Sequence, residues 1–226
     1  LCCSFETIVR SEWHGPCFFA HGTNHSRGVS IFFNDKLNVQ TIAVKCMLNG
    51  QLLMLQAKVH DMDLLLINVY APTQKQHREG FFRKLNSEMN KHYNRDRELI
   101  LGGDWNCVLD MHNDVRGTEN RYYKTPVNLK KFVKRYALCD VWRLMHLYIK
   151  QYTWRNISLK RASRLDFWLV SKQMKVKTLC TDIRPAIRTD HNAITLNFCI
   201  KQNKRGPGYW KMNTDSLDDV NYKMKV

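Results

Sequence analysis

The sequence predicts an α+β sandwich, in which two packed, mainly antiparallel sheets are flanked by helices. Short apolar runs punctuated by Gly, Asn and Asp fill residues 16–70 and are typical of strands. Helical periodicity follows Pro72 and Thr125, and strand-like runs return in residues 164–171 and 193–200. Because strands and helices come in runs and do not alternate as βαβ units, two packed sheets are favoured.

The first five strands are predicted from apolar runs of five to eight residues each, which suit a half-buried strand. The runs are PCFFA (16–20), GVSIFF (28–33), TIAVKCML (41–48), LLMLQAKV (52–59) and DLLLINVY (63–70). Turn-forming residues separate them, so we expect the chain to reverse between successive strands.

Two helices are predicted to pack on these strands. Apolar residues recur on one face of residues 81–93. The second helix has Thr125 as its expected cap and Pro126 in its first turn. Between the helices, ELILGGDWNCVLD (98–110) predicts a strand that ends on two glycines and an acidic loop, where the backbone can approach a ligand closely.

The chain is strongly basic. It has 36 Lys and Arg against 20 Asp and Glu, a formal net charge of +16, and this charge attracts polyanions. Nucleic acid is therefore the first partner to consider, and DNA is favoured over anionic lipid. The eight scattered cysteines show no metal-site spacing, and no apolar run is long enough to span a membrane, so we expect a nuclear or cytoplasmic protein without membrane contact.

The composition changes after Ile200, where KQNKRGPGYWKMN is basic and lacks a strand period. We therefore predict one domain over residues 1–200 and a basic connector over residues 201–226. The sequence opens without Met and already reads as the middle of a domain, which indicates that Leu1 is not a natural start.

Polar residues stand at the ends of several predicted strands, where their side chains can converge on one rim of a sheet pair. Carboxylates that hold a divalent cation, a histidine that handles protons, and donors that grip phosphate are the groups needed for phosphodiester hydrolysis. Taken singly, each residue is more often a turn former, a cap or a packing residue. The candidates are Asn68, Tyr70, Asp104, Asn106, Asp166, Asp190 and His191.

Four ordered motifs resemble the endonuclease/exonuclease/phosphatase superfamily: INVYAPT (67–73), LGGDWNCVLD (101–110), SRLDFWLVS (163–171) and TDHNAI (189–194). RGVSI, YTW and GPGYWKMN resemble the apurinic-like endonucleases of LINE-type retrotransposons and their connector toward a reverse transcriptase. The resemblance implies a four-layer α/β/β/α sandwich, DNA as the substrate, Mg²⁺ or Mn²⁺ as the cofactor, and a reverse transcriptase domain in the same polyprotein.

The resemblance also implies roles for individual residues. His191 and Asp166 would form the proton-handling pair, because a carboxylate on one imidazole nitrogen fixes the tautomer and stabilises the imidazolium. Asp104 and Asn106 would orient the attacking water and the scissile phosphate, and either Asp104 or His191 is the general base. Tyr70 would donate to a phosphate oxygen.

Further roles follow from the same motifs. Asp190 is similar to an acidic residue on the metal side of the site. Thr153 and Ser163 are similar to hydroxyl contacts to the DNA backbone, although both could equally be buried sheet residues. Thr189 stands where the family has Ser, and it keeps a hydroxyl for a substrate contact.

The sequence departs from the family at its N-terminal end. The family has a strand that carries an Asn, followed by a strand whose Glu is the principal metal ligand. No such Asn strand precedes Leu1, so the resemblance implies that one or more N-terminal strands are missing. Phe5-Glu6-Thr7 resembles this second motif only in part, which makes Glu6 a doubtful ligand. We therefore expect weak or no activity from residues 1–226. The alternatives are a nucleic-acid-binding remnant and a phosphoesterase that acts on inositol phosphates or lipids.

Overall fold

The computed structural model describes residues 3–23, 26–47, 50–117, 124–158, 160–187 and 189–200. The helices are α1 (Cys3–Glu12), α2 (Lys75–His92), α3 (Val127–Arg135), α4 (Val141–Met145) and α5 (Lys172–Lys177). The longer strands are β1 (Cys17–Thr23), β2 (Ser26–Phe32), β3 (Val39–Met47), β4 (Leu52–Val59), β5 (Met62–Tyr70), β6 (Glu98–Asp104), β12 (Thr178–Arg184) and β13 (Ala193–Phe198). Five two-residue strands complete the set: β7 (Val115–Arg116), β8 (Cys139–Asp140), β9 (Trp154–Arg155), β10 (Ala162–Ser163) and β11 (Leu169–Val170).

A six-stranded sheet forms the centre of the molecule, in the order β3-β4-β5-β6-β11-β8. Its pairs are antiparallel except β5 and β6, which run parallel with Tyr70 opposite Asp104. α2 connects these two strands, as a parallel pair requires a crossover. Strands β5 and β6 therefore end at the same rim, where their polar terminal residues meet.

Helices α2 and α3 cover one face of this sheet over strands β4, β5 and β6. Phe82, Leu85 and Met89 of α2 and Phe132 of α3 are buried against alternate residues of β4, β5 and β6. This alternation places one set of apolar side chains on the helix face, because successive strand residues point to opposite faces. A stack in which Trp105 lies between Phe82 and Phe167 closes the core at the rim.

Two separate hairpins cover the opposite face. β1 pairs with β2 and β12 pairs with β13, both antiparallel, and within the described residues neither hairpin forms a backbone ladder with another strand. Between the hairpins lies an apolar groove of about 580 Å³. Ile31 and Phe33 line one side of the groove, Ile194 and Leu196 line the other, and Trp168 is among the residues of its floor. This face is therefore less completely filled than the helix face.

The predicted fold class is confirmed: the molecule is an α+β structure of helices and several, mainly antiparallel sheets. The second layer of strands is divided into hairpins and does not form one continuous sheet. Residues Cys3–Glu12, which contain the partial second motif, form a helix. Within the described residues, no helix is both long and apolar enough to cross a bilayer.

Two details of the predicted helices differ from the structure. Thr125 does not cap α3, because its hydroxyl donates to the Val108 carbonyl oxygen. Pro126 precedes the helix, and the carboxylate of Glu79 accepts hydrogen bonds from the first amides of α3 instead. A side chain from another helix therefore supplies the cap, which local sequence does not reveal. Residues 201–226, the predicted connector, lie outside the described residues.

Candidate active site

The end of β6 holds Asp104 and Asn106 in a tight turn. The backbone amide of Asn106 donates to Asp104 Oδ1 at 2.8 Å, and its Nδ2 donates to the Ala71 carbonyl oxygen at 2.8 Å. Asn106 has a φ of 48° and the preceding Gly103 has a φ of 130°. A Cβ on Gly103 would lie 2.0 Å from the Val69 carbonyl oxygen, so only glycine fits there.

Asp166 and His191 approach this turn from two other segments. Asp166 forms an antiparallel bridge with Asp104, and Trp154 forms one with His191. The Nδ1 atom of His191 lies 2.8 Å from Asp166 Oδ2. The structure therefore brings together the two residues that were predicted to form the proton-handling pair, next to Asp104 and Asn106.

Thr153 holds the segments that carry this pair. Its side chain is fully buried, and its Oγ1 accepts hydrogen bonds from the amides of Leu165 at 2.9 Å and Asp166 at 3.0 Å. Its carbonyl oxygen accepts the amide of Asn192, the residue after His191. A buried hydroxyl cannot touch a DNA phosphate, so the predicted direct contact is corrected to a positioning role.

The predicted contact of Ser163 with the DNA backbone is corrected to a structural role for the same reason. Its side chain is buried, and its backbone pairs with β7 and β9 in a three-stranded sheet. Thr189, in contrast, is exposed, and its Oγ1 accepts the amide of His191 at 3.1 Å. This contact shapes the turn before His191, and the exposed side chain remains accessible to a substrate.

Burial and like charge act strongly on Asp104. Burial, followed by repulsion from Asp166, raises the pKa of Asp104 to about 7, although the Asn106 amide and the charges of His191 and Arg78 oppose this shift. Burial disfavours the imidazolium of His191. The hydrogen bond and negative charge of Asp166, with Asp104 and Asp190, outweigh burial and raise the pKa of His191.

The remaining predicted residues lie around this cluster. Tyr70 ends β5 opposite Asp104, and its side chain packs against the core beneath β1 and β2. Asp190 is exposed, and its carboxylate accepts the indole Nε1 of Trp154 at 2.8 Å. Glu6 lies on α1, where its carboxylate pairs with Arg10 at 2.6 Å and His21 at 2.5 Å.

The candidate metal ligands also change. One ligand atom each from Asp104, Asp166 and His191 lie within 4.8 Å of one another, and neither Glu6 nor Asp190 belongs to this group. The carboxylates of Asp104 and Asp166 are therefore candidate ligands in addition to the two that the sequence predicts. Clustered carboxylate oxygens are the donors that Mg²⁺ and Mn²⁺ prefer, so the chemistry of the cluster fits these ions.

Two buried arginines that the sequence did not single out support the site. Arg78 donates from α2 to the carbonyl oxygens of Pro72 and Thr73, directly after Tyr70. Arg164 is fully buried and bonds to both Asp114 and Asp140. A buried arginine is rarely left unpaired. An Arg within the apolar run two residues before Asp166 could therefore have been predicted to be a paired residue that supports the site.

Comparison with known proteins gives the class of this site. Residues 4–191 match the Endonuclease/Exonuclease/phosphatase family. The chain therefore belongs to the endonuclease/exonuclease/phosphatase family. The resemblance drawn from the four motifs is confirmed at this level.

One curated relative carries the match further along the chain. It is the Transposon TX1 uncharacterized 149 kDa protein of Xenopus laevis, 29% identical over 223 residues. The match covers 98% of this chain and 17% of that protein, so the chain spans less than a fifth of its relative.

Solved structures share the fold. A 3′ phosphatase from Neisseria, NExo, bound to product DNA hairpin, has a TM-score of 0.66 at 19% identity, and the match covers 86% of this chain and 82% of the other. An AP endonuclease from Archaeoglobus fulgidus has a TM-score of 0.64 at 19% identity, covering 86% and 81%. At this level of identity, the likeness concerns the fold.

Proposed function

We propose that this domain is a magnesium-dependent DNA endonuclease of a LINE-type retrotransposon, which nicks target DNA by phosphodiester hydrolysis. The observation that carries the proposal is the 2.8 Å contact between His191 and Asp166 beside the Asp104–Asn106 turn. Family membership and the fold shared with nucleases support hydrolysis, and the net charge of +16 supports DNA over lipid or inositol phosphates.

The residues divide the chemistry among them. Without a metal the pKa of Asp104 is about 7, and a cation bound beside it would lower this pKa, so Asp104 would accept a proton from the attacking water as the ionised carboxylate. His191, whose cationic form Asp166 favours, stabilises negative charge on the phosphate. The Asn106 amide fixes the carboxylate of Asp104, and Tyr70 at the adjacent strand end donates to a phosphate oxygen.

Asp104 and Asp166 are the residues that would hold Mg²⁺ or Mn²⁺. The bound ion supplies Lewis-acid stabilisation of the charge that develops on the phosphate. Asp190 adds negative charge beside His191 without joining the cluster.

The biological setting is inferred from the transposon relative. That relative is roughly six times as long as the matched region. We propose that this domain likewise acts within a polyprotein, with a reverse transcriptase after residues 201–226, in the nucleus or cytoplasm.

The decisive test is nicking of supercoiled plasmid in the presence of Mg²⁺. We expect His191→Ala to lower turnover by at least about 100-fold with little change in DNA affinity, because the imidazole acts in the reaction more than in binding. The matched control is His112→Ala, which removes an exposed histidine of the loop after Asp110 and should leave nicking unchanged. Equal nicking by both variants contradicts the proposal.

A second candidate function is nucleic-acid binding without cleavage, by a catalytically impaired remnant. The pairing of Glu6 with Arg10 and His21 favours it, because this keeps the partial motif's carboxylate out of the cluster. Salt-sensitive DNA binding without any nicking by residues 1–226 would support it. Release of phosphate from inositol phosphates, with no plasmid nicking, would instead identify a phosphoesterase of the same fold.

A further inference from the structure

We propose that the outer faces of α2 and α3 form a second DNA surface, which contacts the phosphate backbone of duplex DNA away from the catalytic cluster. Apart from the fully buried Arg78, these two helices contain eight Lys and Arg and two Glu, a net charge of +6 in a chain of +16. A surface of this kind attracts polyanions independently of sequence.

The packing of the helices forces this charge outward. The apolar residues Phe82 and Leu85 of α2 and Leu129 and Phe132 of α3 are buried on the central sheet. The opposite faces of the helices are therefore in solvent. Their exposed basic residues include Arg83, Lys84, Lys91, Lys130, Lys131 and Lys134.

The two acidic residues of these helices are engaged elsewhere. Glu79 accepts hydrogen bonds from the amides of Val127 at 2.6 Å and Asn128 at 3.0 Å. Glu88 pairs within α2, with Lys91 at 2.9 Å and His92 at 3.7 Å. Neither carboxylate pairs with a lysine of α3, so the positive charge of that helix faces solvent uncompensated by α2.

The spacing on α3 has an energetic cost that a bound polyanion relieves. Lys130 and Lys134 are four residues apart, as are Lys131 and Arg135, and like charges at this spacing cost a helix about 0.2–0.5 kcal/mol per pair. The helix is nevertheless held firmly, because Tyr136 stacks edge-on against Tyr93 and donates to Asn90 Oδ1 at 2.5 Å. The surface is therefore rigid before any ligand binds.

The chemistry of the surface favours duplex backbone as the partner. Single strands are bound through exposed aromatic rings, and membranes through apolar side chains that insert among the lipids. Among the exposed large apolar residues of the described chain, only Val127 belongs to these two helices. Asp166 and Asn192 line the groove on the opposite face of the central sheet, so this surface is separate from the catalytic cluster.

The test is fluorescence anisotropy of a labelled DNA duplex with residues 1–226 in EDTA, where cleavage cannot contribute. The triple variant Lys130→Gln, Lys131→Gln, Lys134→Gln should bind roughly tenfold more weakly, with the slope of log affinity against log salt reduced by about 2–3. The matched control, Lys36→Gln, Lys172→Gln, Lys175→Gln, removes the same charge from exposed positions on other parts of the surface and should change binding little. Circular dichroism melting confirms that each variant is folded.

The proposal is overturned if both triple variants weaken duplex binding equally. It is also overturned if the α3 variant binds the duplex with unchanged affinity. Weaker binding of that variant to phosphatidylserine vesicles, with unaltered duplex binding, would identify a membrane surface instead. If the α3 variant does not fold, Arg83→Gln with Lys84→Gln on α2 replaces it, with an expected slope change of about 1–2. Because these measurements use no metal and no turnover, failure of the nuclease assay does not affect them.

Discussion

The two faces of the central sheet differ in how completely they are covered. On one face α2 and α3 close a continuous core in which Phe82, Leu85 and Trp105 are fully buried. On the other face two hairpins leave a groove of about 580 Å³ between them. The residues of the candidate active site gather at the rim where the two faces meet. One well-packed face and a few hydrogen bonds at the rim therefore suffice to fix the geometry of the site, although the other face is not completely filled.

The greatest loss of stability is expected from removing a side chain on the helix-covered face. Phe82→Ala should cost about 3–5 kcal/mol of unfolding free energy, because it opens a cavity in a closed core. The matched variant Phe198→Ala, beside the groove, should cost only about 1–2 kcal/mol, since this side chain is half-buried. Urea unfolding measures both values. Equal losses would show that the two faces are equally packed.

Substitution of either of two threonines should change the free energy of unfolding by less than Phe82→Ala does. Thr153→Val removes an acceptor from two buried amides and should cost about 1–3 kcal/mol, together with much of any nicking activity. Thr195→Val, on the hairpin face, removes a buried hydroxyl that has no hydrogen-bond partner among the described residues. We expect it to be neutral or to stabilise by up to about 1 kcal/mol. Thermal melting of the two variants in parallel decides, and a destabilised Thr195→Val contradicts the comparison.

The raised pKa values of Asp104 and His191, at the rim, predict how the free energy of unfolding depends on pH. In the folded protein the pKa of Asp104 is raised from 3.8 to about 7, so its contribution to stability is present at low pH and is lost as pH rises toward neutrality. The raised pKa of His191 has the same sign: its contribution is complete below 6.5 and is lost as pH rises through the folded-state pKa.

Stability in EDTA should therefore fall by about 1–2 kcal/mol between pH 5 and pH 8. Asp104→Asn should flatten this decline. Asp63→Asn, an exposed carboxylate near the far end of β5, serves as the control and should leave it unchanged. A decline that persists fully in Asp104→Asn would assign the effect to His191 alone.

The least pronounced of the expected changes is in the fluorescence of a dye bound in the apolar groove. An apolar fluorescent dye should bind residues 1–226 with enhanced emission, because the groove exposes apolar side chains from both hairpins. Ile194→Lys should remove most of this signal, while Ile42→Lys, at an exposed site on β3, should keep it. Emission that is equal in the two variants would place dye binding outside the groove.

Much of the fold was predictable because its signals are local. Apolar runs located β1 to β6, and the helical periodicity of α2 was read from residues 81–93. The parallel pairing of β5 with β6 was not predicted, since pairing direction depends on the crossover through α2 and not on either strand alone. The helical state of residues 3–12 was also missed, because a family motif suggested a strand there.

The site shows the same division. The juxtaposition of Asp166 with His191 was anticipated from motifs in their order, and the structure brings these residues together. The role of Thr153 was not, because a hydroxyl at a strand end reads equally as exposed or buried. Arg164 pairs with Asp114, 50 residues away, and sequence does not specify partners across such a distance.

Thr153 has a consequence for how such a domain can change. Through its hydroxyl and its carbonyl, one interior residue sets the spacing between the segments that carry the acid and the imidazole. Surface loops around the rim can therefore vary in length and sequence without altering this spacing. An interior hydroxyl, and not a surface contact, thus keeps the geometry of the cluster constant.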